Sequence, residues 1–262
     1  MECLKQFHIA LDSIRHHADF YALAVRLRTR SANVFAIENI GPEDRPTVDR
    51  FRAAGAADGT VTFEVLYASI CFHLEEFLRE LGRFALEDLN QRFPKYDQIS
   101  KAVFDNHLVA TGRIMSIHQQ DARASKLDMN TYAKNLAGCI PGESKYKFNS
   151  DVFSFFLRSA SSEDVERLFK PIGFKIDWDV FGRNLDMRKH FQGGGTREVA
   201  KHVRRFLDDF VSLRNRIVHR GGGYVAVSDA EIERTVAFFR IFSSELSTAI
   251  GNYCQTYKAV AS

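Results

Sequence analysis

Apolar side chains recur at three- and four-residue spacing over most of the chain, and that period predicts helices. The first runs from about Leu4 to Arg28 on Phe7, Leu11, Ile14, Phe20, Ala24 and Leu27. From Ser31 to Gly59 the period is lost through Gly41-Pro42 and Arg45-Pro46, which predicts a long connection holding at most one short helix. The clearest stripe is Phe63, Leu66, Ile70, Leu74, Phe77, Leu81 and Phe84, a helix from Thr62 to about Gln91 that Pro94 ends. A further helix is expected from about Asp97 to His118, then a mixed segment from Ala122 to Cys139 closed by Pro141-Gly142. Ser150 to Leu157 reads as a short helix. Ser161 or Ser162 caps the next, through Val165, Leu168 and Phe169, until Pro171 and Gly173 stop it. Lys175 to Gly195 reads as loop with some short helix. Thr196 opens a helix to about Arg220, the glycines at 221–223 follow, and a short strand is allowed at Tyr224 to Val227. Ser228 and Glu231 have capping-box spacing for a final helix through Val236, Phe239, Ile241, Phe242 and Leu246 to about Tyr257. No internal repeat or long heptad run is present. The pattern predicts an all-α helical bundle, with residues 1–60 as an N-terminal helix and connection and residues 61–262 as the main helical domain, the two packed as one unit.

Composition changes this picture little. Hydrophobic residues at 45% and charged residues at 26% suit a folded globular chain of 262 residues. Phe is over-used, with 23 copies against 8 Tyr and 1 Trp, which predicts a Phe-rich core rather than an aromatic binding platform. No apolar run approaches the ~18–20 residues of a membrane span; the best, Val65 to Phe72, is followed by His73 and Glu75. The start of the chain lacks a secretory pattern. Cys3, Cys71, Cys139 and Cys254 are scattered, with no CxxC pair, and read as free thiols of a cytoplasmic protein.

Charge is more informative in its distribution than in its total. The net charge is +3, but residues 183–220 carry ten Arg or Lys against four acids, a local +6. Such a window is more often a solvated helix face than a binding site, yet it favours a phosphate-bearing partner. Within it lies Leu213-Arg214-Asn215-Arg216-Ile217-Val218-His219-Arg220, late in a helix and just before three glycines.

That run resembles the signature of HEPN domains, an Arg followed by a polar residue with a His five positions on. The acidic helix containing Leu74-Glu75-Glu76-Phe77-Leu78 looks like the family's early core helix. Leu168-Phe169-Lys170-Pro171-Ile172-Gly173-Phe174 resembles the segment before the motif in RiboL-PSP-HEPN-type members. The likeness covers about Thr62 to Tyr257. It implies an endoribonuclease acting as a homodimer with facing motifs, often as a toxin or phage-defence effector held by an antitoxin or another regulatory protein. On this chain it implies Arg214, His219 and Asn215 as catalytic groups and Glu75 as an orienting carboxylate. The lack of a metal-ligand cluster in the sequence adds the expectation of cleavage without a metal or other cofactor. The basic window adds Arg216, Arg220, Lys201 and Arg205 as contacts to RNA.

The residues agree with this reading without requiring it. On a wheel of about 100° per residue, Val203, Phe206, Leu207, Phe210, Leu213 and Ile217 share one apolar face, and Arg214 falls inside it. A guanidinium there needs an anionic partner, because an unpaired buried charge is prohibitive. The wheel leaves two readings open, a structural pair with Glu75 or Glu76 and a catalytic role; the motif favours the second. His219 sits roughly 140° from Arg214, too far to share one phosphate on an ideal helix. Either the helix ends near His219, or two protomers supply complementary halves of a cleft. Asn215, four residues before His219, can meet it on one face and fix its tautomer.

Rival chemistry has weaker support. His16 and His17 face apart, no His-Glu-x-x-His is present, and Gly193-Gly194-Gly195-Thr196 lacks the Gly-Lys-Ser/Thr core of a phosphate loop. His202 reads as a surface histidine. The remaining alternatives are a non-catalytic HEPN-like module binding RNA or protein, and a helical interaction protein in which the motif is accidental.

Overall fold

The computed structural model describes residues 1–29, 41, 43–47, 49, 59–93, 95–139, 146–219 and 227–258. Most of the expected connection between Ser31 and Gly59 lies outside these residues. So do Pro94, Pro141-Gly142, Arg220, the glycines at 221–223 and all of the allowed strand except Val227. Among the described residues every regular element is helical, so the fold is all-α. The helices are α1 (Glu2–Thr29), α2 (Gly59–Arg92), α3 (Lys101–Ile117), α4 (Met129–Ala137), α5 (Ser162–Phe169), α6 (Asp179–Arg183), α7 (Leu185–His190), α8 (Thr196–Val218) and α9 (Asp229–Thr256). None among the described residues is long and apolar enough to cross a membrane.

α2 is the central element. Its predicted stripe buries Ile70, Leu74, Phe77 and Leu81, and neighbouring faces bury Tyr67, Cys71, Leu78, Ala85, Leu86 and Leu89. It therefore receives α1, α8 and α9 on different sides. α1 docks through Phe7, Leu11 and Ile14, with Phe7 stacked 5.0 Å from Phe77. Arg15 adds a 3.3 Å ion pair to Glu233 of α9, and Arg240 binds Asp12. Phe20, expected on that face, is instead 73% exposed. The buried register runs Phe7, Leu11, Ile14 and Ala18, and Phe20 stands roughly 200° around from Ala18. The Phe-rich core is built by α8, α9 and the short α6. Phe206 stacks 4.1 Å from Phe238, Phe210 meets Phe239 at 4.7 Å, and Phe181 stacks 5.1 Å from Phe242.

Capping decides several boundaries. The helix expected from Asp97 is a short turn at Tyr96–Gln98 followed by α3, because Ser100 caps α3 by accepting from the Val103 amide. Asp128 starts α4 in the mixed segment by accepting from the Asn130 amide at 3.0 Å. Ser150 to Leu157 is not an α-helix but a single turn at Ser154–Phe156. The Ser154 hydroxyl donates to the Asp151 carbonyl there, while Val152, Phe153 and Leu157 turn into the core. The short helix allowed in the Lys175 to Gly195 segment is in fact two, α6 and α7. Asn184 ends α6 and caps α7, accepting from the Met187 amide at 2.8 Å, and Trp178, Phe181 and Met187 are buried. Helices this short are not stable alone, so tertiary packing makes them. Ser228 caps α9 as its spacing with Glu231 predicts, accepting from the Glu231 amide at 3.2 Å.

Two contacts fix α8, which carries the candidate site. At its start, a Cβ added to Gly182 would lie 2.0 Å from the Thr196 carbonyl oxygen, so α6 crosses α8 with only glycine at the contact. Along its length, Asp208 accepts from both the Ser162 amide at 2.9 Å and the Ser162 hydroxyl at 3.1 Å, tying α5 to α8. α8 buries Val199, Ala200, Val203, Leu207, Phe210 and Val211 on one face and exposes a polar face opposite.

Candidate active site

The last turn of α8 brings Arg214 against α2. Arg214 Nη2 lies 3.6 Å from Glu75 Oε1, and Nη1 donates to Asn215 Oδ1 at 3.0 Å. Glu75 is buried, with its side chain 10% exposed, and Arg79 Nη2 reaches its other oxygen at 3.3 Å. The Cys71 thiol points at Glu75 Oε1 from 3.7 Å. Burial, reinforced by the Glu75 charge, pushes that thiol up to about 12, so it stays protonated and acts as donor. Glu76, the other carboxylate considered for Arg214, pairs instead with Arg79 at 3.6 Å and is half exposed.

This arrangement gives a buried-face arginine its anion. A guanidinium has five N–H donors, and these contacts leave several for another oxygen ligand. The Arg214 side chain is 27% exposed, so the free edge has access to solvent. Glu75 and Asn215 therefore pair with the fork without saturating it.

His219 lies just beyond the helix. α8 ends at Val218, and His219 has φ −101° and ψ 35°, outside helical values, while its amide still donates to the Asn215 carbonyl at 2.9 Å. The side chain is exposed, and no hydrogen bond among the described residues reaches its imidazole. His219 is thus the first residue past the helix, still tied to it through its amide, with its imidazole facing solvent. The expected contact between the Asn215 and His219 side chains is not formed, since Asn215 Oδ1 is taken by Arg214.

The other expected RNA contacts stand apart from Arg214. Lys201, Arg205 and Arg216 are all exposed and lie within about 60° of one another on the wheel of α8, roughly 140–180° from Arg214. His219 sits at the end of that same exposed stripe. Much of the basic window is internally paired: Arg183 with Asp177, Lys189 with Asp186, Arg204 with Glu166 and Arg205 with Asp209. Arg188 donates to the Gly182 carbonyl and to Thr196. Among the described residues Arg197, Lys201 and Arg216 remain as exposed cations outside those pairs. Arg220 is outside the described residues. No group of three or more His, Cys, Asp or Glu among the described residues is placed to hold a metal ion.

Arg79 and Cys71 were not singled out by sequence reasoning. Their signal was present, because both stand four residues from Glu75 on one helix and so share its face.

Neither a curated protein nor a solved structure matches the chain. The sequence model of the RiboL-PSP-HEPN family matches residues 64–252, from the start of α2 through nearly all of α9. That match spans well over half the chain and takes in both the Glu75 helix and the Arg214–His219 turn, and the protein belongs to the RiboL-PSP-HEPN family.

Proposed function

We propose that the protein is an endoribonuclease that cuts RNA by attack of the substrate's own 2′-hydroxyl, with Arg214 and His219 as its chemical groups. Family membership points to an RNA-directed role, as a nuclease or an RNA binder. The observation that carries the finer reading is the half-buried Arg214 fork, held by Glu75 with donors to spare, five residues before an exposed histidine.

Cleavage requires three things of these groups. The 2′-oxygen must lose its proton and attack phosphorus, the bond to the 5′-oxygen must break, and that oxygen must gain a proton. The 2′-hydroxyl is already tethered beside its phosphorus, so proximity comes with the substrate. Arg214 offers two parallel N–H groups to the non-bridging oxygens as negative charge builds on them. Histidine exchanges protons near neutral pH. His219, exposed just past the end of α8, is the group that protonates the leaving oxygen. A second His219 from a facing protomer would take the proton of the 2′-hydroxyl. The products are a 2′,3′-cyclic phosphate and a 5′-hydroxyl.

The same pair supports a second reading. Arg214 has an anionic partner in Glu75, so the motif could serve the fold of a non-catalytic RNA- or protein-binding module. One experiment separates them: an RNA strand and its matched DNA are incubated with protein in chelator, and the cut ends are identified. The proposal expects RNA-only cleavage, 5′-hydroxyl ends, inertness at a 2′-deoxy residue and loss of cutting in His219→Ala. Ends bearing 5′-phosphate, or equal cutting of DNA, would refute the mechanism. RNA binding without cleavage would favour the second reading. As an effector in the cytoplasm such a nuclease needs restraint, and an antitoxin or other regulatory protein is the partner class we propose.

A further inference from the structure

A cleft of about 650 Å³ opens on the other side of α8 from Arg214, bounded by the end of α7, the turn after it and the first half of α9. This is within the ~300–1,000 Å³ typical of ligand clefts. Its walls mix rings with charges. Phe191 lies 5.5 Å from the exposed His202 ring and 6.2 Å from Phe206, and the Arg234 guanidinium lies over Phe206 at 5.7 Å. Arg205 and Asp209 face the same space as an exposed pair 3.5 Å apart, and Glu233 is drawn toward Arg15 of α1.

The charges decide what this cleft suits. Two arginines and two carboxylates balance, so a bare phosphate gains little net attraction here. The rings give the remaining affinity, because every nucleobase presents a π-face that stacks on aromatic or guanidinium planes. The exposed Arg205–Asp209 pair costs little to open, which frees Arg205 for the phosphate beside a stacked base.

Position links the cleft to the end of α8. Arg205 stands nine residues before Arg214 and fourteen before His219, about 14 Å and 21 Å along the helix axis. Lys201 and Arg205 at one end and Arg216 at the other lie on the exposed face that leads toward His219, with Asp208, Asp209 and Ser212 between them. A single strand with its phosphates on these cations would bring one base to the cleft, a few nucleotides from the end of α8.

We infer that this cleft is a base-binding subsite for single-stranded RNA, in which one unstacked base lies against the Phe191–His202 rings and Arg205 holds its phosphate. The inference rests on the reading of RNA as the ligand. It predicts that affinity depends on having a base at one position of the strand, not merely on backbone charge.

The test is fluorescence anisotropy with a short, unstructured oligoribonucleotide and a set of the same strand carrying one abasic position each. The full chain is used in a His219→Ala background so that the strand stays intact. One abasic position should weaken binding roughly five-fold or more. His202→Ala should weaken the intact strand by a similar factor and leave the abasic strand nearly unaffected. Phe191→Leu, which keeps apolar volume against the core, should do the same, and thermal melts report whether each variant is folded. Arg205→Gln should weaken both strands and lower the salt slope by about one. If the parent binds RNA but His202→Ala and Phe191→Leu leave affinity unchanged, or weaken intact and abasic strands alike, the subsite is wrong and the RNA reading stands. A parent that binds no RNA overturns that reading and the subsite with it.

Discussion

Glu75 carries more of the candidate site than its charge alone suggests. It pairs with Arg214 at 3.6 Å and accepts from Arg79 and the Cys71 thiol while almost fully buried, so its loss leaves two guanidiniums without their shared anion. Glu75→Gln is expected to cost about 2 kcal/mol in a denaturant melt. If Arg214 acts on phosphate, the same change lowers kcat roughly 10- to 100-fold while KM moves little, since a misplaced fork loses charge stabilisation rather than strand affinity. Glu75→Asp should restore part of that rate; a kcat unchanged in Glu75→Gln would remove it as a positioning residue. Arg214→Lys should cut poorly, because an ammonium cannot reproduce the planar fork. His219→Ala should abolish cutting yet leave affinity nearly intact, whereas Lys201→Ala should weaken binding and its salt dependence. Cleavage lost in Lys201→Ala with binding unchanged would overturn that division of roles.

At the scale of elements, α8 is positioned by contacts far from its functional end. The closest is Gly182 against the Thr196 carbonyl, where a methyl group has no room. Gly182→Ala is expected to destabilise by about 1–3 kcal/mol, the range for overpacking, and to lower the melting temperature without touching the site. A neutral effect would mean that α6 and α8 part easily. Ser228→Ala removes the acceptor for the Glu231 amide and should cost about 1 kcal/mol. The short helices α6 and α7 show why some elements escaped the periodicity. Five or six residues are too few for a period to register, and their helicity depends on Trp178, Phe181 and Met187 finding a core built by α8 and α9.

At the scale of the whole molecule, acid should weaken the fold through His107. It is wholly buried, its Nε2 accepts from the Asn149 amide at 2.8 Å, and burial lowers its pKa from 6.5 to about 4. The unfolded chain therefore binds this proton at a higher pH than the folded one. Stability is full above about pH 6.5, falls as pH drops, and has lost about 3 kcal/mol once pH reaches 4. Burial lowers His8 and His190 as well, with the same sign. Denaturant melts at pH 7.5 and 5 measure the slope, and an NMR titration of His107 centred near 6.5 would contradict it. A homodimer is the other expectation at this scale. Val65 and Phe72 are 63% and 60% exposed on the side of α2 adjoining Glu75, and Val218 is 53% exposed at the end of α8. Apposing these around a two-fold axis would bring two Arg214–His219 turns together. Phe72→Glu should then give a monomer by light scattering and reduce cleavage; a fully active monomeric parent would exclude the arrangement.

The all-α class, α2, α8 and α9, the Ser228 cap and the Arg214–His219 run were legible along the chain, because each depends on neighbours within one or two helical turns. The wheel likewise placed Arg214 on an apolar face and required an anion for it. Which carboxylate answers was beyond its reach: Glu75 and Glu76 differ by one residue in sequence but by about 100° around α2, and only the packing of α8 on that helix selects Glu75. The same holds for His219. Spacing put it roughly 140° from Arg214, but that α8 stops at Val218 and leaves the imidazole exposed is seen only in the folded chain. Local sequence determines periodic elements and the groups they carry, whereas burial, ion-pair choice and the direction of a residue past a helix end are set by atoms that meet only when distant helices pack.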